Sequence, residues 1–418
     1  MSAPSQLEGP PPPVGFNLVA QEFMADPFPV LEIARREAPV FFAKDYGFWG
    51  ITRYDDIDRA LSDWETFSNA SLAYVPVPDQ YKDRVPEGFF ATGALISQDP
   101  PRHTSRRKLI NRGFGRSQMA RLEAPIKDIA HALIDSFIDR GHCDLMTQYC
   151  YEVSLRSIVL LLGMPDDDLP LLRQLVDDQG AVVSDTIKPM STEERLERWE
   201  RIVTARDYLR GVTERRRAEP GEDLISLMVT ATDQHGEHVL TPDEVVTHLT
   251  ELLFAGTDTT ANLMGAMVQM FERDPDQLER VKADPGLWPS AVEEGLRRRG
   301  GTNGIFRITT REVEVAGVTI PAGAVVWLGI SSAGRDEAHF DNASAFDVCR
   351  ADAADHLSFG KGRHFCMGAP LTRLEAPIGM AALYERIPDL RIAPGETYEY
   401  DPVMIAVILK HLNVEWGS

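Results

Sequence analysis

The chain has 418 residues, of which 43% are hydrophobic and 26% charged, and its formal net charge is −21. That length can bury a core large enough to enclose a cofactor, and that balance is the composition of a globular protein. The acidic excess argues against nucleic acid or an anionic membrane as partner, because both are themselves anionic.

The opening stretch, MSAPSQLEGPPPPVGF, has no basic flank followed by an apolar run, so neither a signal peptide nor a membrane anchor is expected there. Residues 1–15 read as a flexible or extended proline-rich arm, and residues 16–418 as one domain without linker or repeat. FWGITRY, residues 48–54, has the pattern of a strand. Helical spacing of apolar residues runs through residues 117–141 and 191–219. The run IVLLLGM from Ile158 falls far short of the roughly 20 residues that span a bilayer.

A long helix is predicted from Thr241, where Thr241, Pro242 and Glu244 supply an N-cap, an N1 proline and the carboxylate of a capping box. It should stop before Pro275, giving ~32 residues with Val245, Leu249, Leu252, Leu263, Met267 and Phe271 facing the core. Its middle, AGTDTT, sets Gly256 and the β-branched Thr259 and Thr260 where better helix formers belong, and a kink or widened turn is expected there. Further on, REVEVAGVTI and AGAVVWLGI flank Pro321 and read as strands of small sheets. The fold class is mainly α with minor β.

SFGKGRHFCMG, residues 358–368, puts a cysteine among glycines and cations, ahead of a helix-like run from Leu371. Cys143, Cys150, Cys349 and Cys366 form no CxxC pair, and four cysteines in such a chain suggest no disulfide framework, so a reducing cytoplasm is expected. For Cys366, zinc is poorly served by His356 and His364 alone. Gly360, Gly362 and Phe365 break the dinucleotide fingerprint GxGxxG. A buried inert thiol and a thiolate stabilised at a helix N-terminus both stay open on the residues alone.

FGKGRHFCMG resembles the cysteine-ligand loop of the cytochrome P450 family, with Phe359, Gly362, His364, Cys366 and Gly368 at the family's spacing. The resemblance implies a P450 fold around haem b (iron protoporphyrin IX) with Cys366 as the iron's thiolate ligand, and it extends from about Phe16 to Trp416. AGTDTT resembles the family's oxygen-binding segment. It implies Ala255 and Gly256 beside the haem, Gly256 leaving room for dioxygen, and Asp258 and Thr259 as the acid and alcohol that deliver protons. Glu294 and Arg297 of EEGLRRR, with Arg350 of FDVCR, resemble the family's structural triad, which His356 could join. His103, Arg107, Arg307 and His364 are the implied propionate partners, and Phe359, Gly360 and Gly368 frame the loop.

By the same resemblance the substrate side holds Leu252, Ala255, Thr302, Asn303, Ile305, Phe306, Met404 and Ile405, closed by a loop over residues 72–81. These are mostly apolar and imply an apolar small molecule. Gly301 stands where proline is common and Gly334 where asparagine is frequent; the first is expected to loosen the pocket wall. No flavin or iron–sulfur pattern is present. The implied reaction, a monooxygenation with dioxygen, therefore draws two electrons from an external ferredoxin or flavodoxin with its reductase. Arg106, Lys108, Arg112, Lys361, Arg363 and Arg373 are expected to form a basic docking patch for it. A monomer without membrane anchor or nucleic-acid partner completes the expectation.

Overall fold

The structure is a computed structural model that describes residues 9–70, 75–85, 94–185 and 188–417. Six helices position the site: α1 (Arg102–Ile110), α2 (Tyr151–Leu162), α3 (Leu169–Ser184), α4 (Pro242–Arg273), α5 (Trp288–Arg299) and α6 (Ala369–Arg386). α4 starts as its sequence dictates. The Thr241 hydroxyl accepts the Glu244 N–H at 3.2 Å, and the Glu244 carboxylate accepts the Thr241 N–H at 2.9 Å. From Thr260 to Phe271 every residue of α4 is buried, so this half is enclosed on all sides rather than along one stripe.

The widened turn expected in AGTDTT is absent, for α4 is one uninterrupted α-helix. Thr257 and Thr259 turn their hydroxyls back onto the carbonyls of Leu253 (2.8 Å) and Ala255 (2.9 Å), a helix-compatible use of a β-branched alcohol. A Cβ added to Gly256 would lie 3.2 Å from Ile158 Cγ1 on α2. The space this glycine leaves is therefore taken by a neighbouring helix, a correction to the dioxygen gap expected there.

A five-stranded sheet flanks the helices: β1 (Val40–Ala43), β2 (Phe48–Ile51), β3 (Phe67–Ser68), β4 (Ile305–Thr309) and β5 (Val325–Leu328), in the order β1-β2-β5-β4-β3. β2 and β5 are parallel, with Trp49 opposite Val326, and the other neighbours are antiparallel. Residues Val313–Val315 and Val318–Ile320 pair with each other instead, so the two segments flanking Pro321 serve different sheets. A separate hairpin joins β6 (Tyr400–Val403) to β7 (Ala406–Leu409). In the proline-rich arm the Pro10 carbonyl accepts the Phe42 N–H of β1 at 2.7 Å.

Candidate active site

The Cys366 loop is built from backbone geometry. Gly360 (φ +65°) and Gly362 (φ +69°) occupy the left-handed region that side chains disfavour, and the Cys366 N–H closes onto the Phe359 carbonyl at 2.7 Å. Gly362 also abuts the Leu61 carbonyl, which an added Cβ would approach to 3.0 Å. Turn conformation is what these two glycines supply. Gly368 caps α6, so Cys366 lies just ahead of a helix N-terminus. Burial pushes its thiol up, while the N–H groups of Gly368 and Ala369 and the guanidinium groups of Arg107 and Arg373 act the other way.

Above the loop the structure gathers His103, His364, Arg307 and Arg107. The imidazoles of His103 and His364 lie 4.1 Å apart between centroids, and the Nε2 of each is buried without a partner. Burial lowers them to about 4 and about 3, with neighbouring cations adding to the shift. Arg307 is buried, its pKa held down to about 10 by desolvation, and it donates to the Phe306 carbonyl at 2.7 Å. Among the described residues no carboxylate pairs with it. Arg107 donates to the Phe365 carbonyl and so braces the Cys366 loop directly. Orphaned imidazole nitrogens and a buried guanidinium call for anionic partners, and among the described residues Asp99 acts on them without an ion pair. A haem, with two propionates and an iron needing one thiolate, fits that donor set.

On α4, Ala255 is exposed although its neighbours Leu252, Leu253 and Thr257 are buried. Asp258 is half-buried, and desolvation, with Asp177 and Asp401 adding, raises its carboxyl from 3.8 to about 7. Among the described residues it has no ion pair. Asp258 and Thr259, adjacent on a helix, point about 100° apart, and no hydrogen bond links them. Asn262 fixes their turn, donating to the Asp258 carbonyl at 2.7 Å and accepting the Leu409 N–H at 2.6 Å.

The segment after α5 lies flush on that turn. A Cβ on Gly301 would come within 2.6 Å of the Thr259 carbonyl. The glycine therefore lets the wall press closer to α4, opposite to the loosening expected. The Gly301 carbonyl accepts the Val407 N–H, Asn303 N–H reaches the Ile405 carbonyl, and Thr302 bridges to Ala406, so this segment and the β6–β7 hairpin form one wall. Leu252 is packed into the helical core, Ile305 against the sheet core, and Phe306 and Met404 against the aromatic cluster of Phe41, Phe48 and Trp327. Asn303 is 2% exposed with Nδ2 unpartnered. Of the expected closing loop, Leu72–Tyr74 lie outside the described residues; Val75 and Val77 pack on the helical core.

Below the loop, Glu294 and Arg297 are fully buried and joined by two bonds of 2.6 and 2.8 Å, with Arg350 Nε at 3.3 Å. Arg297 also donates to the carbonyls of Gly334, Ala343 and Ala345. Gly334 is pressed so close that an added Cβ would sit 2.1 Å from the Arg297 carbonyl, which accounts for the glycine. His356 lies 3.2 Å from Glu293, beside the triad rather than in it. Burial raises Glu293, but bonds from Arg373 and His356 outweigh this and hold it at about 2.

The basic patch is half neutralised. Arg106 pairs with Glu244, Lys361 with Asp58 and Arg373 with Glu293. Lys108, Arg112 and Arg363 are exposed and have no ion pair among the described residues, Arg363 resting 5.0 Å from the Trp64 ring. Sequence reasoning missed Glu375 on α6, which is fully buried. Desolvation pushes its carboxyl up to about 8 against hydrogen bonds from Thr260, Ser157 and Ser154. The available signal was a polar residue on the Thr372–Glu375–Gly379 face of a helix, a spacing that marks the core.

Comparison with known proteins agrees with this geometry. The family profile described as Cytochrome P450 matches residues 48–284 and 287–386. The chain is similar to the cytochrome P450 monooxygenase PikC of Streptomyces venezuelae, 33% identical over 97% of this chain and 95% of that one. It is also similar to the vitamin D(3) 25-hydroxylase of Pseudonocardia autotrophica, 33% identical over 91% of each. Among solved structures, CYP109Q5 from Chondromyces apiculatus superposes with a TM-score of 0.85 at 31% identity, covering 96% of this chain and 98% of that one. Among the described residues no helix is long and apolar enough to cross a membrane. The chain belongs to the cytochrome P450 family and is a haem-dependent monooxygenase, an oxidoreductase that acts on a small organic molecule with dioxygen and redox partners.

Proposed function

We propose that this protein, as one haem b domain in the cytoplasm, inserts one oxygen atom into a C–H bond of an apolar small molecule, using electrons from an external ferredoxin or flavodoxin. The observation that carries this reading is the gathering of His103, His364, Arg307 and Arg107 beside the Cys366 loop, with imidazole nitrogens left unpartnered. Cys366 would hold the iron, and the two histidines with Arg307 would hold the propionates. Phe359, Gly360 and Gly368 shape the loop, and Arg107 braces it. When bound, the haem supplies an iron centre that activates dioxygen, thiolate ligation favouring O–O cleavage.

The chain's own groups handle the protons. The Asp258 carboxyl, titrating near 7, can hold a proton at Oδ and release it under ordinary conditions. Thr259 Oγ1 donates its hydrogen to the Ala255 carbonyl, so its lone pairs are free to accept another. Because the two side chains diverge, a water between them is part of the relay. The partly apolar wall of Thr302, Asn303, Ile305, Phe306, Met404 and Ile405 favours an apolar substrate, and the exposed Lys108, Arg112 and Arg363 favour an acidic electron donor. The test is a screen of apolar and charged compounds for a haem spin-state shift, followed by turnover with ferredoxin and its reductase. Apolar compounds should give the shift, and Thr259→Ala should divert electrons from product to peroxide. Shifts by charged compounds alone, or unchanged coupling in the variant, contradict the reading.

A further inference from the structure

Glu251 stands one turn before Ala255 on α4, and residues 251, 255 and 259 share one helix face. The sequence pattern offers no reason for a carboxylate there. Its oxygens are taken by backbone: Leu95 N–H donates to Oε2 and Ile96 N–H to Oε1, both at 2.9 Å. His248, one turn back and fully buried, brings Nδ1 within 3.2 Å of Oε2. A carboxylate that accepts two consecutive amide hydrogens holds that backbone in place more firmly than neutral contacts would.

The same segment is tied from its other side. Asn69 Nδ2 donates to the Ile96 carbonyl at 2.9 Å, and the Asn69 N–H reaches Asp99 Oδ1 at 3.2 Å. Ala94, Leu95, Ser97 and Gln98 are buried, whereas Ile96 is 55% exposed. At its far end the Gln98 backbone bonds to His364, so the segment runs from Glu251 to the imidazole cluster.

We propose that Glu251 is a specificity-determining clamp: it holds residues 94–98 against the face of α4 that carries Ala255 and Thr259, and so limits the size of molecule that reaches that face. The inference rests on the haem-pocket reading above. Glu251 acts through the backbone it holds and takes no part in proton transfer.

The experiment uses the haem-loaded full chain and two probes that ligate haem iron, imidazole and the bulkier 4-phenylimidazole, with association rates followed by the Soret shift. Glu251→Gln keeps the shape but turns a donor toward an amide, and Asn69→Ala cuts the second tether. Both should raise the ratio of 4-phenylimidazole to imidazole association rates, by about threefold or more for Glu251→Gln, and speed amide hydrogen exchange at residues 94–98. An unchanged ratio in both variants, with or without faster exchange, overturns the clamp. Should Glu251→Gln fail to fold, Asn69→Ala alone decides in the same two directions. A wild-type protein whose Soret band answers neither azole overturns the pocket reading instead.

Discussion

Two acids, Glu294 and Asp258, have opposite surroundings. Glu294 is fully buried and meets Arg297 in two short bonds, with Arg350 beside them and carbonyls absorbing the remaining guanidinium hydrogens. Asp258 is half-buried, its charged neighbours are Asp177 and Asp401, and its carboxyl is raised to about 7. A saturated ion pair, with every guanidinium hydrogen and carboxylate oxygen engaged, serves as a frame. An unpaired carboxyl that can be neutral or charged near neutrality serves to move a proton.

The comparison breaks first at Arg297. Arg297→Met leaves Glu294 buried without its partner and should destabilise the protein by about 3–5 kcal/mol in urea melts. A loss below about 1 kcal/mol would mean that the network frames nothing. Asp258→Asn should act in the other direction on stability and lower turnover by about 100-fold. Because the folded protein binds this proton more tightly than the unfolded chain, Asp258 contributes stability that is full below 3.8 and is lost as pH rises through about 7. The variant should therefore melt higher than wild type at pH 8, by an amount on the order of a few kcal/mol, and no higher at pH 4.

Gly301→Ala sharpens the contrast without touching either acid. Its Cβ would meet the Thr259 carbonyl at 2.6 Å, so a loss of about 1–3 kcal/mol and more peroxide per electron are expected. The smallest effect belongs to the rim. Arg363→Glu should raise the KM for an acidic ferredoxin about threefold, more at low salt, while Lys361→Glu should do less because Lys361 is already paired with Asp58.

Local signals were legible where local chemistry decides. The capping box at Thr241, the cysteine loop and the i,i+3 pair of Glu294 and Arg297 were all readable from spacing or resemblance. Contacts between distant segments were not. Nothing adjacent to Gly256 or Gly301 announces Ile158 or the Thr259 carbonyl, so both glycines were given reasons the packing does not support. The patch is legible only in part: Arg106, Lys361 and Arg373 meet Glu244, Asp58 and Glu293, which lie 138, 303 and 80 residues away in sequence. Glu375 and Glu251 escaped notice because a buried or clamped acid looks, in sequence, like any helix carboxylate.

The central claim is that Cys366 ligates a haem iron as thiolate within this frame. Reducing the purified protein and adding carbon monoxide tests it most directly. The account predicts the red-shifted Soret band of thiolate-ligated haem in the wild type and its loss in Cys366→Ser. A folded, haem-loaded wild type without that band, or a Cys366→Ser protein that keeps it, contradicts the assignment.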